Sequence, residues 1–313
     1  MNNFCVFILT HGRPDKVYTY KTLQKHGYTG KIYLVIDNED STADDYYKMY
    51  GDYVIMFDKA AIAKTFDEGD NFQDRRTIVY ARNACFQIAK ELGIRYFLQL
   101  DDDYTKFCYK EPGSPEIWDK PIKNLDKIFK LTLTYYRSIE TNSIAFSQNG
   151  DFLGGTYGNA AKNPCFRKCM NTFFCDVNRQ FQFVGRVNED VNTYTELGRK
   201  GKLFLSIPNV SIIQKATQKT KGGMSDVYTL QGTYVKSFYT VMYAPSCTKI
   251  KLMQSRHPRL HHAISWRNAV PVIIREKHKK QYRKQGTNDW GDIKIYSREW
   301  YAKHGVKCIE FKK

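Results

Sequence analysis

The first hundred residues alternate short apolar runs with longer segments in which apolar side chains recur every three or four positions. Runs rich in β-branched and aromatic residues predict strands, and the amphipathic segments predict helices. The predicted strands are Phe4–Leu9, Lys31–Asp37, 53–58 and the run that begins at Tyr96. The predicted helices are Asp15–Gly27, 42–51 and Arg76–Gly93. This alternation predicts βαβ units, and therefore an α/β fold with a Rossmann-type mixed, mostly parallel sheet flanked by helices.

Polar side chains follow the predicted strands at one edge of this sheet. Thr10 and Arg13 follow the first strand, Asp37 ends the second, and the triplet Asp101–Asp103 ends the strand that begins at Tyr96. Ligands of such sheets collect outside the carboxyl ends of the strands. Each group alone also has a plain explanation as a helix cap or a turn residue. Their convergence favours a binding site, because folding alone does not require these side chains to share a rim.

The triplet, in YFLQLDDDYTKF, crowds three like charges at the end of a buried strand. Either the acids are solvated at a turn, or a divalent cation neutralises them and carries a phosphate-bearing ligand. The same residues fit the haloacid-dehalogenase pattern, in which Asp101 is a phosphorylated nucleophile, Asp103 the acid/base and Thr105 an orienting hydroxyl. That pattern normally follows the first strand of its core, whereas at least three predicted strands precede it here.

Composition narrows the class of protein. A chain of 313 residues that is 42% hydrophobic can bury the core of one large domain. Its 49 Lys and Arg against 32 Asp and Glu give a formal charge of +17, which favours an anionic partner such as nucleic acid or a nucleotide. No apolar run approaches the roughly 20 residues that span a bilayer, and no signal peptide is recognisable. We therefore expect a cytoplasmic protein without a membrane partner.

Cysteines and histidines offer few metal ligands. The eight cysteines contain no C-x-x-C pair, and the cluster Cys165–Cys175 matches no zinc spacing, so we expect reduced, mostly buried thiols. His261 and His262 lie in RLHHAISW, where adjacent strand residues point to opposite faces and at most one joins a site. His262 is the candidate to complete a cation's coordination, with packing as the alternative.

Two further groups have both a functional and a structural interpretation. Arg82 lies in the helix before the triplet and either reaches an anion near the sheet edge or forms a salt bridge. Glu189 and Asp190 lie in GRVNED, where a carboxylate can serve as the general base for a hydroxyl acceptor. In the alternative, Asn188 caps a helix whose first turn carries both acids, and no catalysis is involved.

The segment YARNACFQIAKELGIRYFLQLDDDYTKF resembles the region around the D-x-D motif of GT-A glycosyltransferases of the family-2 type. Phe183–Gln214 resembles their second signature, an acidic pair that opens a helix before a strand. At finer grain, nearly the whole chain resembles the TET-associated glycosyltransferases, phage enzymes associated with sugar modification of hydroxymethylated pyrimidines in DNA. The stretches that carry this resemblance are FILTHGRPDKVYTYKTLQKHGYTGKIYLVIDNED, GRVNEDVNTY, GTYVKSFYTVMYAPS and RLHHAISW.

This resemblance implies a GT-A-like fold, a UDP-sugar donor, Mn²⁺ or Mg²⁺, a DNA acceptor and an inverting reaction. Asp190 is then the general base and Glu189 its neighbour. The metal ligands are Asp103 and Asp101, to which we add His262. The donor-binding residues are Thr10, Arg13, Asp37, Arg82, Asp101 and Asp102.

The organisation of the chain is predicted to be a nucleotide-sugar-binding and acceptor core over residues 1–215, with a basic extension over 216–313 packed on it. In the extension, Arg275–Lys284 either contacts a DNA backbone or forms a solvated helix face. The glycine-containing loop 218–223 is a candidate lid over the donor. Three alternatives stay open: the same fold acting on a protein or glycan, the phosphatase, and a DNA-binding protein without catalysis.

Overall fold

The computed structural model describes residues 3–70, 74–110, 120–148, 169–215, 235–254, 258–269 and Lys303. The strands are β1 (Phe4–Leu9), β2 (Lys31–Asp37), β3 (Val54–Phe57), β4 (Tyr96–Asp101), β5 (Tyr104–Tyr109), β6 (Lys120–Pro121), β7 (Ser143–Gln148), β8 (Phe173–Asp176), β9 (Phe204–Gln214), β10 (Thr248–Met253) and β11 (Arg259–Ile264). The α-helices are α1 (Tyr18–Lys25), α2 (Ala43–Tyr50), α3 (Lys59–Ala63), α4 (Val79–Glu91), α5 (Leu125–Ser138), α6 (Glu189–Arg199), α7 (235–243) and α8 (Trp266–Ala269).

The main sheet has the strand order β3-β2-β1-β4-β8-β7-β9-β5-β6. Its first four strands are parallel. Beyond β4, the pairs β4–β8, β8–β7, β9–β5 and β5–β6 are antiparallel, and β7–β9 is parallel. The predicted fold class is therefore confirmed. The antiparallel pairs of this sheet begin with β4–β8 and lie on the side of β4 away from β1.

The predicted elements before the triplet all form, with small shifts at their ends. The first helix begins later than predicted, because a 3-10 turn covers Pro14–Lys16 and α1 starts at Tyr18. Gly27 ends it as predicted, with φ at +76°. A Cβ at Gly27 would lie 2.6 Å from the Lys123 carbonyl oxygen, so this turn requires glycine for both its backbone angle and its contact.

The sheet is covered by a hydrophobic layer on each face. In β1, Phe4, Val6 and Ile8 enter one layer, while Cys5, Phe7 and Leu9 enter the other, because successive strand residues alternate sides. Helices α1 and α5 contribute to the first layer, and α4 and α6 to the second. The triplet therefore follows a strand buried on both faces.

Residues Met1–Val272 form one compact unit, and Ile273–Lys313 form a second. Within the first unit, α8 packs closely on α6, since a Cβ at Gly198 would lie 2.2 Å from the Ala269 carbonyl oxygen. The boundary at residue 215 stays a prediction. The basic stretch 275–284 and the loop 218–223 lie outside the described residues.

The described cysteines are all buried and free, which confirms reduced thiols for them: Cys5, Cys85, Cys108, Cys169, Cys175 and Cys247. Cys165 and Cys308 lie outside the described ranges. Across the part of the chain that the structure describes, no helix combines the length and apolar character needed to cross a bilayer.

Candidate active site

The triplet begins where β4 ends, beside β1. Asp101 is the last residue of β4 and pairs with Leu9, the last residue of β1. From α1, the Thr19 hydroxyl donates to the Asp101 carbonyl at 2.5 Å, and the Thr19 amide donates to the Asp102 carbonyl at 3.0 Å. Helix α1 therefore fixes the backbone of the triplet, and each carboxylate finds its own surroundings.

Asp102 holds the loop that follows β1. Its side chain is only 1% exposed, and its Oδ2 accepts from Thr10 Oγ1 and from Arg13 Nε, both at 2.7 Å. The Tyr46 hydroxyl lies 2.7 Å from Thr10 Oγ1 and accepts from the Arg13 amide at 3.1 Å. Burial raises the pKa of Asp102, and the Arg13 charge opposes that shift. Asp102 thus positions Thr10 and Arg13 at the sheet edge, while its own contact with a donor stays a prediction.

Arg82 of α4 joins the triplet to the acid pair. Its Nη2 donates to Asp101 Oδ1 and its Nε to Glu189 Oε1, each at 2.9 Å. The guanidinium is 1% exposed and lies 5.0 Å from the ring centroid of Phe173. The salt-bridge interpretation of Arg82 is therefore confirmed, while its contact with a donor stays a prediction. Removing one partner of a buried ion pair typically costs about 3–5 kcal/mol, so this link constrains both clusters.

Asp103 is the member of the triplet whose carboxylate is least satisfied. Its Oδ1 is buried and has no hydrogen-bond partner. Burial raises the pKa of Asp103 to about 6, and the charge of Asp102 adds to the shift. For Asp101, burial raises the pKa to about 7 against the opposing charge of Arg82. A buried oxygen without a donor is costly, and a bound cation would satisfy it.

The donor set fits Mn²⁺ or Mg²⁺ held together with a substrate. Among the described residues, no three His, Cys, Asp or Glu side chains are grouped as a complete metal site. Mg²⁺ is commonly bound through one or two carboxylates plus substrate phosphates, so a full protein cage is not required. The unsatisfied oxygen of Asp103, with Asp101 close by, matches that mode of binding.

Asp37, at the end of β2, is paired with two residues that we did not predict. His11 Nδ1 lies 2.8 Å from Asp37 Oδ2, and Lys59 Nζ lies 3.1 Å from Oδ1. Burial acts to raise the pKa of Asp37, but His11 and Lys59 outweigh it, so the pKa is lowered. The position of His11 in the THGRP motif, directly after Thr10, could have indicated that it belongs to the site. Nothing in the sequence around Lys59 indicated this.

The acid pair opens α6, but Asn188 does not cap that helix with its side chain. Its backbone is left-handed, with φ at 57°, and no side-chain cap hydrogen bond forms. Asn188 Nδ2 instead donates to the Lys236 carbonyl on α7 at 2.7 Å and lies 3.4 Å from His262 Nδ1 on β11. Asn188 thus occupies the N-cap position, and both acids lie in the first turn as the capping alternative holds, but its side chain does not cap the helix.

The Asp190 carboxylate does not share the two hydrogen bonds that Arg82 donates to Asp101 and Glu189. Its Oδ1 accepts from the Val191 amide at 2.7 Å, one of the unpaired amides at the start of α6. Burial raises the pKa of Asp190, and the charge of Glu189 adds to the shift, whereas Arg82 and Lys236 oppose it. A buried carboxylate with a raised pKa is a competent proton acceptor near neutral pH.

Arg186 fixes the loop that leads into the acid pair. It is 1% exposed, and its Nη2 lies 2.9 Å from Asp70 Oδ2. Gly185 before it has φ at +80°, and a Cβ there would lie 2.3 Å from Asn192 Nδ2. The loop is thus held on both sides, since Asn192 Nδ2 also donates to the Val187 carbonyl at 2.9 Å.

The two histidines occupy successive positions of β11, where His261 pairs with Lys251 and His262 with Ile250. His262 is buried and His261 half-buried, as the alternation of a strand predicts. Their rings lie 4.1 Å apart between centroids, inclined at 34°. His262 is 8% exposed and lies beside Asn188. Its role as a metal ligand stays a prediction.

Three solved structures are similar to this chain at low identity. PcManGT, a mannosyltransferase from Pyrobaculum calidifontis in complex with GDP-Man and Mn²⁺, has 13% identity and a TM-score of 0.43, covering 70% of this chain. Glucosyl-3-phosphoglycerate synthase from Mycobacterium tuberculosis, in complex with Mn²⁺, UDP and phosphoglyceric acid, has 8% identity and a TM-score of 0.42, covering 89% of this chain and 91% of its own. TarS from S. aureus, in complex with UDP-GlcNAc, has 9% identity and a TM-score of 0.40, covering 76% and 66%. This chain spans 58% of the Pyrobaculum protein.

Comparison of the sequence with protein families identifies the family of this chain. No curated protein matches the chain. A family model described as TET-Associated Glycosyltransferase matches residues 4–223, which contain both the triplet and the acid pair. This match confirms the resemblance over residues 4–223, whereas the stretches GTYVKSFYTVMYAPS and RLHHAISW lie beyond the matched residues. The chain belongs to the TET-associated glycosyltransferase family.

Proposed function

We propose that this protein is a metal-dependent, inverting glycosyltransferase that moves a sugar from a UDP-sugar to a hydroxymethylated pyrimidine in DNA. The observation that carries the proposal is the Arg82 link, because it joins the carboxylates after β4 and the acid pair of α6 in one centre. A donor held at the first cluster would present its sugar to a base on the second. Membership of the TET-associated glycosyltransferase family supports the class of reaction and the DNA acceptor.

The donor side rests on the sheet edge around the triplet. Asp103 and Asp101 would hold Mn²⁺ or Mg²⁺, which as a Lewis acid neutralises the charge of the departing diphosphate. Arg13, fixed by its bond to Asp102, adds a positive charge at the same edge. We place the base or ribose of the donor against Asp37, with Thr10 lining the pocket between.

The acceptor side rests on Asp190. This carboxylate takes the proton of the acceptor hydroxyl, whose oxygen bonds to the anomeric carbon of the sugar. The bond from that carbon to the diphosphate oxygen breaks at the same time, so the anomeric configuration inverts. A positioned base typically contributes 10²–10⁴-fold in rate. Glu189 stays paired with Arg82 and keeps the loop of Asp190 in place.

Charge and groove geometry suit a DNA acceptor. The formal charge of +17 favours a polyanion over a neutral glycan. The 5-substituent of a pyrimidine projects into the major groove, so a hydroxymethyl group can be reached without complete extrusion of the base. We place the reaction in the cytoplasm, or in the host cytoplasm for a phage-encoded enzyme.

The two other open functions fit less well. A haloacid-dehalogenase-type phosphatase would use Asp101 as a nucleophile after the first strand, but β4 is the fourth strand and Asp101 is bonded to Arg82. A DNA-binding protein without catalysis gives no reason for the unsatisfied oxygen of Asp103, since carboxylates beside a polyanion repel it.

The test is to incubate hydroxymethylated and unmodified DNA with a panel of nucleotide sugars and Mn²⁺, and to read the products by nucleoside mass spectrometry. We expect one added hexose mass on the hydroxymethylated pyrimidine, dependent on a UDP-sugar and abolished by chelator. The Asp103→Asn variant is the matched control. Transfer only to a protein or glycan, or phosphate release abolished by Asp101→Asn, would overturn the proposal.

A further inference from the structure

One long stretch of the chain carries positive but no negative side chains. No Asp or Glu occurs between Asp226 and Glu276, although acids make up 32 of the 313 residues overall. The described part of this stretch forms α7, the hairpin β10–β11 and α8. Lys and Arg are no more frequent here than elsewhere, but without carboxylates in the same segment the stretch carries a net positive charge.

The β10–β11 hairpin has a basic face. The strands pair antiparallel, with Lys251 opposite His261 and Met253 opposite Arg259. Because side chains alternate along a strand, Lys249, Lys251 and Arg259 lie on the same face of this ribbon. All three residues are exposed.

The other face of the hairpin is fixed beside the acid pair. His262, opposite Ile250 in the pairing, is 8% exposed, and its Nδ1 lies 3.4 Å from Asn188 Nδ2. Asn188 directly precedes Glu189 and Asp190. Beyond the hairpin, Trp266 stacks on Tyr194 of α6 at 5.7 Å between ring centroids. The hairpin that carries the basic face is thus held beside the acid pair through its other face.

We propose that the basic face of the β10–β11 hairpin, made by Lys249, Lys251 and Arg259, is the docking surface for the phosphate backbone of the acceptor duplex. The inference rests on the proposed function for the identity of the acceptor. Lys and Arg on phosphates supply much of the affinity for DNA and fix its register. The major groove admits a two-stranded β-ribbon, and the acceptor hydroxymethyl group projects into that groove.

A second kind of polyanionic surface must be distinguished from DNA. Leu252 and Leu260 lie opposite each other on the other face of the hairpin and are 61% and 37% exposed. An apolar pair beside lysines would also suit a bilayer of anionic lipids. DNA is favoured because the hairpin is anchored at the acid pair, where the acceptor of the reaction must enter.

The experiment compares the wild-type full chain with the triple variant Lys249→Gln, Lys251→Gln, Arg259→Gln. Binding to a fluorescein-labelled unmodified 30-base-pair duplex is followed by fluorescence anisotropy from 50 to 200 mM salt. We expect the variant to bind at least about tenfold more weakly. The slope of log affinity against log salt should fall by about 2–3, roughly 0.9 for each phosphate that the variant no longer neutralises. A thermal unfolding transition within a few degrees of that of the wild type shows that the variant is folded.

The matched control carries Lys123→Gln, Lys127→Gln and Lys130→Gln, which remove the same charge from exposed positions at α5, on the opposite face of the sheet. We expect its affinity to fall by less than about threefold. An equal decrease in both triple variants would show a general charge effect and overturn the inference. So would a salt slope unchanged in the hairpin variant, or hairpin-dependent binding to phosphatidylserine vesicles without binding to the duplex.

Failure of the proposed function gives a different pattern. In that case hydroxymethylated DNA receives no sugar from the wild-type protein, whatever the duplex affinities are. Hairpin-dependent binding of the duplex would still support the docking surface. Conversely, sugar transfer to DNA by the wild type with unaltered duplex binding by the hairpin variant would leave the function standing and reject the docking surface.

Discussion

The two acidic clusters of the site tolerate their like charges in different ways. In the triplet after β4, Asp101 is neutralised by Arg82 and Asp102 by Arg13, but Asp103 keeps a buried oxygen without a partner. In the pair that opens α6, Glu189 is neutralised by Arg82, and Asp190 accepts a hydrogen bond from a helix amide. The first cluster is incomplete without a further positive charge, whereas the second is complete within the chain.

This difference separates the acids that hold the site from those left for chemistry. An acid bonded to an arginine helps to hold the structure, and its removal affects folding; Asp101 would do so in addition to holding the cation. An acid with an unshared oxygen or only an amide donor can exchange a ligand or a proton. The comparison therefore predicts opposite effects on stability and on turnover for neighbouring residues.

The largest effect is expected for Asp103→Asn. Transfer should fall by at least about 10³-fold, because a Lewis acid supplies several kcal/mol of stabilisation to the departing charge. The joint thermal stabilisation by UDP and Mn²⁺ should disappear. The free energy of unfolding without ligand should stay the same or rise, because a buried unpartnered charge is removed.

Asp102→Asn is the control for that prediction. It should lower the melting temperature by weakening the bonds to Thr10 and Arg13, yet retain a measurable joint stabilisation by UDP and Mn²⁺. If Asp103→Asn kept the joint stabilisation and Asp102→Asn abolished it, the assignment of the cation to Asp103 would be wrong.

A somewhat smaller effect is expected for Asp190→Asn. The asparagine can still accept from the Val191 amide, so the helix start is preserved while the proton acceptor is removed. The turnover number should fall 10²–10⁴-fold, with the affinity for UDP and Mn²⁺ within about twofold of the wild type. Single-turnover transfer to hydroxymethylated DNA measures the first quantity and calorimetry the second. Retention of more than a tenth of the rate would exclude Asp190 as the base.

Arg82→Lys should destabilise the fold by about 3 kcal/mol, since an ammonium cannot bridge Asp101 and Glu189 with a fork of two donors. Urea unfolding measures this decrease. The matched control is Arg76→Lys, whose ion pair with Asp74 is 49% exposed on the arginine side and should cost less than about 1 kcal/mol. Equal destabilisation by the two variants would mean that Arg82 does not hold the two clusters together.

The smallest effect is expected for Gly198→Ala. In an unhindered helix this change stabilises by up to about 1 kcal/mol, but here the new methyl group meets the Ala269 carbonyl oxygen at 2.2 Å. Overpacking should therefore turn the change into a destabilisation of about 1–2 kcal/mol, measured by thermal unfolding. A gain in stability would show that α8 does not press on the helix of the acid pair.

The first half of the sheet could be predicted because its determinants are local. Each strand from β1 to β4 is a short apolar run, and each helix between them has a periodic face, so element type and order follow from spacing. The position of β8 between β4 and β7 could not be predicted from the sequence. It depends on pairings such as Phe97 with Cys175, far apart in the chain, which no local pattern encodes.

Most residues of the site could be predicted from the sequence, but most contacts between them could not. Strand ends identified which side chains meet at the sheet edge, but not which partner each one takes. Arg82 was recognised as a candidate, yet its bond to Glu189 joins positions over a hundred residues apart. The letters N-E-D predicted Asn188 at the start of a helix but not that its side chain leaves the cap free, which depends on its left-handed backbone. The stacking of His261 against His262 depends on side-chain torsions, which strand alternation ignores.

The sharing of one guanidinium by Asp101 and Glu189 has a consequence for how such a centre changes over generations. Replacing the arginine leaves two anions without their shared cation, and replacing either anion leaves a buried guanidinium N–H without its acceptor. Intermediates with a single exchange are therefore penalised, and the three positions should be inherited or discarded together. Anyone transplanting this centre to another scaffold would have to carry all three in one step.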